Sequence, residues 1–352
     1  MNQPFVIRFA PMIEFLNVGF YAQLVDGGRR LCSHLGYAPS GALDWLSYDF
    51  ANALVGNKPR EMPTSDVSIE ITLGDVCMLF HEASVIAITG ASAECSLNNA
   101  PCEMNRPIFV PSGAKLLVSS IGSEQQGMRV YVAVRGSLAV PRLFSSAANV
   151  KREASGGLHG NGLSLLSGDT LHMNAEIDSS KYALLIDAAD NVAEQLLQQQ
   201  VYQVLIHQHS ALDPASGLIP GYQWRSFSSI ERIKLVSTGF IVTPDADRMG
   251  MRLRGEAIKT KHRQLYSQGL CNGAIQCAGD GQLIIMFNDR QTIGGYPVLG
   301  AVDAFSRARI AQKRPGATLN FELVDALDIA AKLTMWSEQI KNLSLWVDKQ
   351  LA

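Results

Sequence analysis

Short apolar runs recur along this chain at close intervals, and each is closed by a turn signal. Residues 68–73, 76–80, 84–89, 115–119, 129–134 and 170–173 each read as a strand. Leu97-Asn98-Asn99-Ala100-Pro101, Pro111-Ser112-Gly113 and Ser167-Gly168-Asp169 punctuate them. The spacing predicts a mainly β chain built as barrels or sandwiches. The Asn98-Asn99 pair suits a hairpin turn, because Asn tolerates the left-handed backbone region. After residue 205 the same style resumes at 233–238, 281–287 and 318–321. Helices are few. One is expected over 43–55, where Leu43, Leu46, Phe50, Ala53 and Leu54 form a stripe, with Ser40 or Gly41 as its cap region. Others are expected at 304–311 and from 323 to 339 and beyond.

The 352 residues are enough for two domains of ordinary size. Patterning is weakest at 187–200, a polar, Gln-rich, helix-compatible stretch, and residues 201–207 then alternate like a strand. The boundary is set there, giving parts 1–205 and 206–352. With 18% charged residues and a formal net charge of −2, the chain has no basic excess for neutralising phosphates, which argues against nucleic-acid binding. No apolar run reaches the roughly 20 residues of a membrane helix, and no signal peptide is read at the start. The expected location is the cytoplasm.

Six cysteines (32, 77, 95, 102, 271 and 277) lack CxxC spacing, so neither a zinc site nor a disulfide framework is expected. They read as small, mostly buried hydrophobes. The histidines are scattered; His207-Gln208-His209 is a weak metal hint, and no metal site is assigned. There is no GxSxG or P-loop pattern.

The chemistry-bearing run is Asp289-Arg290-Gln291-Thr292-Ile293-Gly294-Gly295-Tyr296-Pro297, directly after the apolar stretch Leu283-Ile284-Ile285-Met286-Phe287. A strand end can aim an acid, a base and an amide into a site, and glycine permits close backbone approach. The alternative is a hairpin closed by an Asp–Arg pair. A second acid–arginine unit, Asp247-Arg248, precedes Met249-Gly250 within 244–255. The two units are expected to meet in space and stand exposed in one groove, or else to form a structural ion-pair network.

Near the N-terminus, Asp26 and Arg29 flank two glycines, as a fork for a carboxylate or carbonyl or as an exposed turn pair. Ser40 and Asp44 share a helix-start face, able to bind a polar or anionic group or simply to cap. Glu70 alternates against Ile69 and Ile71: inside a barrel it needs a partner, and in water it is inert. Gln276 offers an amide to a lactam or ureido group, Gln291 another polar contact, and Tyr296 a stacking surface. The glycines of 155–162 suggest a mobile loop able to cover a site.

Taken in order, these runs resemble a known family. It includes the C-type subunit of 5-oxoprolinase, the Kip antagonist protein, the allophanate hydrolase subunit 2-related proteins and the carboxyltransferase domain of urea carboxylase. The motifs Pro39-Ser40-Gly41-Ala42-Leu43-Asp44, Ile69-Glu70-Ile71-Thr72-Leu73-Gly74 and Gly273-Ala274-Ile275-Gln276 carry the resemblance, with the runs at 244–255 and 289–297. The chain departs from it at Val25, where Gln is usual, at Ser137, where a second Gly is usual, and near Asn161, where an Arg is frequent. The resemblance implies two tandem cyclophilin-like β-barrel subdomains. It implies a subunit of an ATP-dependent 5-oxoprolinase that acts with a B-type, Kip inhibitor-like partner and an A-type hydrolase on a small lactam. Asp289, Arg290, Asp247 and Arg248 are then the catalytic candidates. Ser40, Asp44, Asp26, Arg29, Glu70, Gln276, Gln291 and Tyr296 are the substrate-binding candidates. ATP with magnesium is the implied co-substrate. The alternatives are a biotin-dependent urea or amide carboxyltransferase module, or a non-catalytic partner of a Kip inhibitor-like protein.

Overall fold

The computed structural model describes residues 13–58, 65–121, 127–174, 182–196, 215–260 and 265–352. The chain is mostly β. In its first half, a five-stranded sheet runs Tyr21–Val25, Ser68–Thr72, Arg129–Val134, Ser84–Gly90, Pro107–Val110. It packs against a seven-stranded sheet whose central strands are Ile13–Val18, Gly74–Phe80 and Lys115–Ile121. Period-two alternation makes the core between them. Leu24, Ile69, Ile71, Ile88, Val130 and Val132 face Phe15, Met78, Phe80, Leu116 and Val118. Asn98 and Asn99 both take positive φ, 50° and 66°, in the two-residue turn between paired Leu97 and Ala100, as the sequence predicts.

The second half is built on an eight-stranded sheet, with a two-stranded pair, Gln268–Gly269 and Ile293–Gly294, beside it. Its order begins at Thr318–Leu319 and ends at Phe321–Leu323. Only Asn320 separates these two edge strands in sequence, so the sheet curls until its edges meet and closes nearly into a barrel. Phe240, Val242, Leu253, Ile275, Ile285 and Leu299 fill it.

Five helices decorate the sheets among the described residues: α1 (Trp45–Leu54), α2 (Tyr182–Leu196), α3 (Ser229–Ser237), α4 (Ala304–Ile310) and α5 (Ala326–Gln350). Asp44, Ser228, Asp303 and Asp325 cap α1, α3, α4 and α5 by accepting backbone N–H bonds. All ten residues of α1 are buried. It lies between the outer face of the five-stranded sheet, through Val85, Ala87 and Ala133, and α5, through Trp336, Ile340 and Leu343. Burying each such large apolar side chain stabilises the fold by about 1.5–3 kcal/mol. Trp45 stacks edge-on against Trp336 at 5.9 Å and donates its indole N–H to the Ala304 carbonyl at 2.9 Å. The last helix of the chain therefore returns to the first half. None of the helices is long and apolar enough to cross a membrane.

Two expectations are corrected. Residues 233–238 are no strand: α3 takes 233–237 and Thr238 is its C-cap. The pair Ser228 and Glu231 is a capping-box spacing, with the Ser228 hydroxyl accepting from the Glu231 N–H at 3.3 Å, and Glu231 and Leu235 are buried one helical turn apart. The cap of α1 is Asp44, not Ser40 or Gly41, which stand at φ 55° and 88° and cannot begin a helix. The strand expected at 201–207, the boundary at 205/206, and His207, His209 and His262 lie outside the described residues. Cys32, Cys95 and Cys277 are buried and Cys271 is exposed.

Candidate functional site

Three neighbouring strands in register build the first wall. Gln23, Glu70 and Tyr131 lie side by side across Tyr21–Val25, Ser68–Thr72 and Arg129–Val134. Two residues along, on the same face, lie Tyr21, Thr72 and Arg129. This is the face that α1 covers further along, away from the core between the sheets. Glu70 thus faces neither the barrel interior nor water. It sits under the loop that leads into α1, where its carboxylate accepts from Gln23 Nε2 at 3.1 Å, the Tyr131 hydroxyl at 2.7 Å and the Leu43 N–H at 3.3 Å.

The second half supplies the opposing wall. The Asp247 carboxylate accepts from the Met249 and Gly250 N–H groups at 2.7 and 3.1 Å, closing the hairpin that presents Arg248. Arg248 then reaches across the seam. Its Nη1 meets Glu70 at 2.6 Å, Nε meets Asp289 at 3.0 Å, and Nη2 meets the Gly41 carbonyl at 2.5 Å. The same loop is tied to the strand end by Ser40 N–H to the Asn288 carbonyl at 2.9 Å and Asn288 Nδ2 to the Ala42 carbonyl at 2.8 Å. Gln312 stitches the halves again, accepting from the Arg129 N–H at 2.8 Å and donating to Asp44 at 2.7 Å.

Between the walls lies a cavity of about 780 Å³. Tyr21, Thr72 and Arg129 border it on one side, and Asp247, Arg248 and Asp289 on the other. Met128, Met249, Met251 and Phe287 add soft apolar surface, and Lys151, Arg152 and Lys313 add charge. Burial would raise the pKa of Glu70, but Arg248 and Arg129 outweigh it and hold Glu70 below the usual glutamate value. At Asp289 burial wins: despite Arg248, its carboxyl is held above the ordinary aspartate value. Two carboxylates on one arginine are thereby pushed in opposite directions, a pattern that separates a fixed charge from a proton carrier. Burial also lifts the Tyr131 phenol well up, with Glu70 and Asp44 adding to the shift, so it remains a hydrogen-bond donor.

Of the twelve sequence candidates, Glu70, Arg248, Asp289 and Ser40 converge here, with Asp247 holding the turn. The two acid–arginine units do meet, but only through Arg248 and Asp289. Contrary to expectation, Asp289 and Arg290 are buried, each 6% exposed. Arg290 points away from Arg248, donating to the Leu270 carbonyl at 3.1 Å. Asp26 is saturated by the Gly28 and Ala147 N–H groups, the Ser146 hydroxyl and Arg142. Arg29 is neither exposed nor paired with Asp26; it bonds Glu153 at 2.6 Å and Ser155 Oγ at 2.9 Å. The Asp44 carboxylate is spent on Ser47 and Gln312. Gln276 is buried beneath Gly294, where a Cβ would come within 2.7 Å of its Nε2, so a larger residue there would have to displace the amide. Gln291 is half-buried and Tyr296 is 40% exposed. None of Asp26, Arg29, Asp44, Gln276, Gln291, Arg290 and Tyr296 borders the cavity. The glycine loop at 155–162 is tied down by bonds from Gly157 N–H to the Ala147 carbonyl and Gly162 N–H to the Gly156 carbonyl. Ser137 adopts φ 70°, a conformation that suits glycine, and its hydroxyl accepts from the Val67 N–H.

Sequence reasoning missed Tyr21, Tyr131, Arg129, Lys151 and Lys313. Arg129 and Tyr131 were discoverable, since a charged and a phenolic residue at i and i+2 interrupt one face of an otherwise apolar strand.

The chain matches the family described as carboxyltransferase domain, subdomain A and B, over residues 35–323. It is 29% identical over 333 residues to the C-type 5-oxoprolinase subunit of Escherichia coli K12, covering 94% of this chain and 97% of that protein. It is 28% identical over 336 residues to urea amidolyase of Saccharomyces cerevisiae, covering 88% of this chain but 16% of that protein. The crystal structure of the Kluyveromyces lactis urea amidolyase superposes with a TM-score of 0.80 at 24% identity over 96% of this chain and 20% of that one, so the fold is shared. With most of its length matched, this chain belongs to the carboxyltransferase domain, subdomain A and B, family.

Proposed function

We propose that this chain is the C-type subunit of a 5-oxoprolinase, converting 5-oxoproline, ATP and water to glutamate together with B-type and A-type partners. The end-to-end likeness to the C-type 5-oxoprolinase subunit of Escherichia coli carries this reading. The site chemistry supports it. A lactam carbonyl is a poor electrophile, and ATP would turn its oxygen into a leaving group by phosphorylation. The excess of cations bordering the cavity suits such a phosphorylated species. Asp289, held above the ordinary aspartate range, exchanges a proton with the lactam. Arg248 keeps its charge between Glu70 and Asp289. Its Nη1 has an N–H beyond the bond to Glu70 with which to stabilise a developing oxyanion. Glu70 orients Arg248 and Arg129 and stays ionised.

The test is reconstitution: glutamate should form from 5-oxoproline and ATP only when this chain joins the other two subunits. Glutamate formation unaffected by leaving it out would overturn the reading. The likeness to the yeast urea amidolyase favours a second one, in which the same cavity receives carboxybiotin and a urea-like acceptor, biotin being carried by a partner. Carboxyl transfer from free carboxybiotin to urea in the presence of this chain would distinguish it.

A further inference from the structure

The charges around the cavity do not balance. Five cations, Arg129, Lys151, Arg152, Arg248 and Lys313, border it against two carboxylates, Asp247 and Asp289, and of these cations Arg152 is paired with Glu153 at 2.8 Å. Within the buried cluster behind them, Glu70 is committed to Arg248 at 2.6 Å and stands 3.9 Å from Arg129 Nε. The Arg129 side chain is 10% exposed and its Nε is buried with no hydrogen-bond partner, while Nη1 is held by the Ala311 carbonyl. Arg248 is thus shared by Glu70 and Asp289, while Arg129 has only Glu70 within ion-pair reach, at 3.9 Å. A buried cation left short of acceptors costs stability, which an incoming anion restores.

The rim cations are held in place. Lys151 and Arg152 lie on a tight turn whose third residue, Glu153, is gripped by buried Arg29 at 2.6 Å and by the Ala38 N–H at 2.7 Å. Next to Lys313, Arg314 donates to the Gly127 and Ile121 carbonyls at 3.0 and 2.6 Å, fixing that loop of the second half onto the first. Lys313 therefore presents positive charge at the Arg129 end of the cavity, where Gln312 bonds the Arg129 N–H and carbonyl, while Lys151 and Arg152 border the cavity from beside the edge strand Tyr21–Val25, where Asn149 accepts from the Leu24 N–H.

We propose that the Arg129 end of the cavity is an oxyanion subsite that binds the carboxylate or phosphoryl end of a small ligand whose uncharged body lies on the methionines and Phe287. This rests on the functional reading above for the identity of the ligand body, but not for the anion. The two sources of the anion are the substrate carboxylate and the nucleotide phosphates, and one calorimetric series separates them. The full chain is titrated with 5-oxoproline, with 2-pyrrolidinone (the same lactam without a carboxylate) and with inorganic tripolyphosphate.

A charge-assisted contact predicts that 5-oxoproline binds about tenfold or more tightly than 2-pyrrolidinone, and that the gap narrows as salt rises. Tripolyphosphate that competes with 5-oxoproline places both anions on the same subsite. Tripolyphosphate binding alone assigns the subsite to the nucleotide. Arg129→Gln removes the preference. Because Arg129 also supports the fold, Lys313→Gln serves as the second variant and should weaken anion binding about threefold in protein shown to be folded by its cooperative melt. Equal affinity for the acid and the neutral lactam with no tripolyphosphate binding overturns the proposal. So does unchanged anion affinity in a folded Lys313→Gln protein. Failure of glutamate formation in the reconstituted complex, with the anion preference intact, removes the 5-oxoprolinase reading and leaves the subsite standing.

Discussion

The molecule contains two acid–arginine clusters that look alike in sequence and are built differently in space. At Asp26 every carboxylate contact is made within the first half: two backbone N–H groups, a hydroxyl and Arg142 all point at it, and it does not border the cavity at the seam. At Arg248 the contacts cross the seam between the halves, two carboxylates compete for one guanidinium, and the cluster borders open volume. An Asp next to glycines and an Arg is therefore no signature of a site by itself. What distinguishes the second cluster is capacity left over. Asp289 is held above the ordinary range, Arg129 Nε is unbonded, and a cavity lies in front.

The most damaging way to break this contrast is Arg248→Met. It leaves Asp289 buried without its cation and Glu70 with Arg129 alone, so the loss of unfolding free energy in urea should be about 3–5 kcal/mol, with activity abolished. A loss below about 1 kcal/mol would mean that the cluster is solvated and not the buried network described above.

Next in size is the paired comparison of Asp26→Asn and Asp289→Asn. Asp26 loses charge-assisted bonds that nothing replaces, which costs about 1–3 kcal/mol. Asp289→Asn should cost less, because burial already disfavours its charge, yet it should abolish glutamate formation in the reconstituted complex. Normal activity with a stability loss of about 3–5 kcal/mol would reduce Asp289 to an ion-pair clasp.

These contrasts also show what the sequence could tell. The strands were legible because alternation is local: 129–134 and 170–173 match the observed bounds. The helix α3 was misread because Ile233, Lys234 and Leu235 alternate over a window too short to separate period two from 3.6. The meeting of Arg248 with Asp289 was foreseen. The role of Arg129 was not, because it depends on strand register across three segments far apart in the chain. The closed state of Asp26 was equally illegible. Its partners at Arg142, Ser146 and Ala147 lie about 120 residues away, and no spacing rule connects them.

The opposite pKa shifts give a subtler test. Glu70 is held below its unfolded value of 4.5, so its contribution is present above that pH and is lost as pH falls through its lower folded value. Asp289 is held above its unfolded value of 3.8, so its contribution is present below that pH and is lost as pH rises through its folded value. Glu70→Gln should therefore flatten the acid limb of stability, and Asp289→Asn should steepen it. Each change is at most one proton in the slope, read from urea midpoints at a series of pH values. The same direction of change in both variants would contradict the assignment of fixed charge and proton carrier.

The smallest expected effect separates strain from chemistry at a single residue. Ser40 holds φ 55°, which a residue with a Cβ adopts at a cost of about 1 kcal/mol. In return its hydroxyl stands within reach of both the Asn149 carbonyl, at 3.3 Å, and the Asp289 carboxylate, which it helps keep ionised. Ser40→Gly removes the strain and the hydroxyl together, so the melting temperature should change little or rise slightly. Activity should respond in a different way: without that hydroxyl the Asp289 carboxyl moves further up, and the acid limb of the pH–rate profile should shift toward higher pH. Ser40→Ala serves as the control, since it keeps the strain while removing the hydroxyl. It should reproduce the shifted profile while being less stable than Ser40→Gly. If both variants keep the parent profile, Ser40 serves the loop alone, and the difference between the two clusters narrows to Arg248, Asp289 and the cavity in front of them.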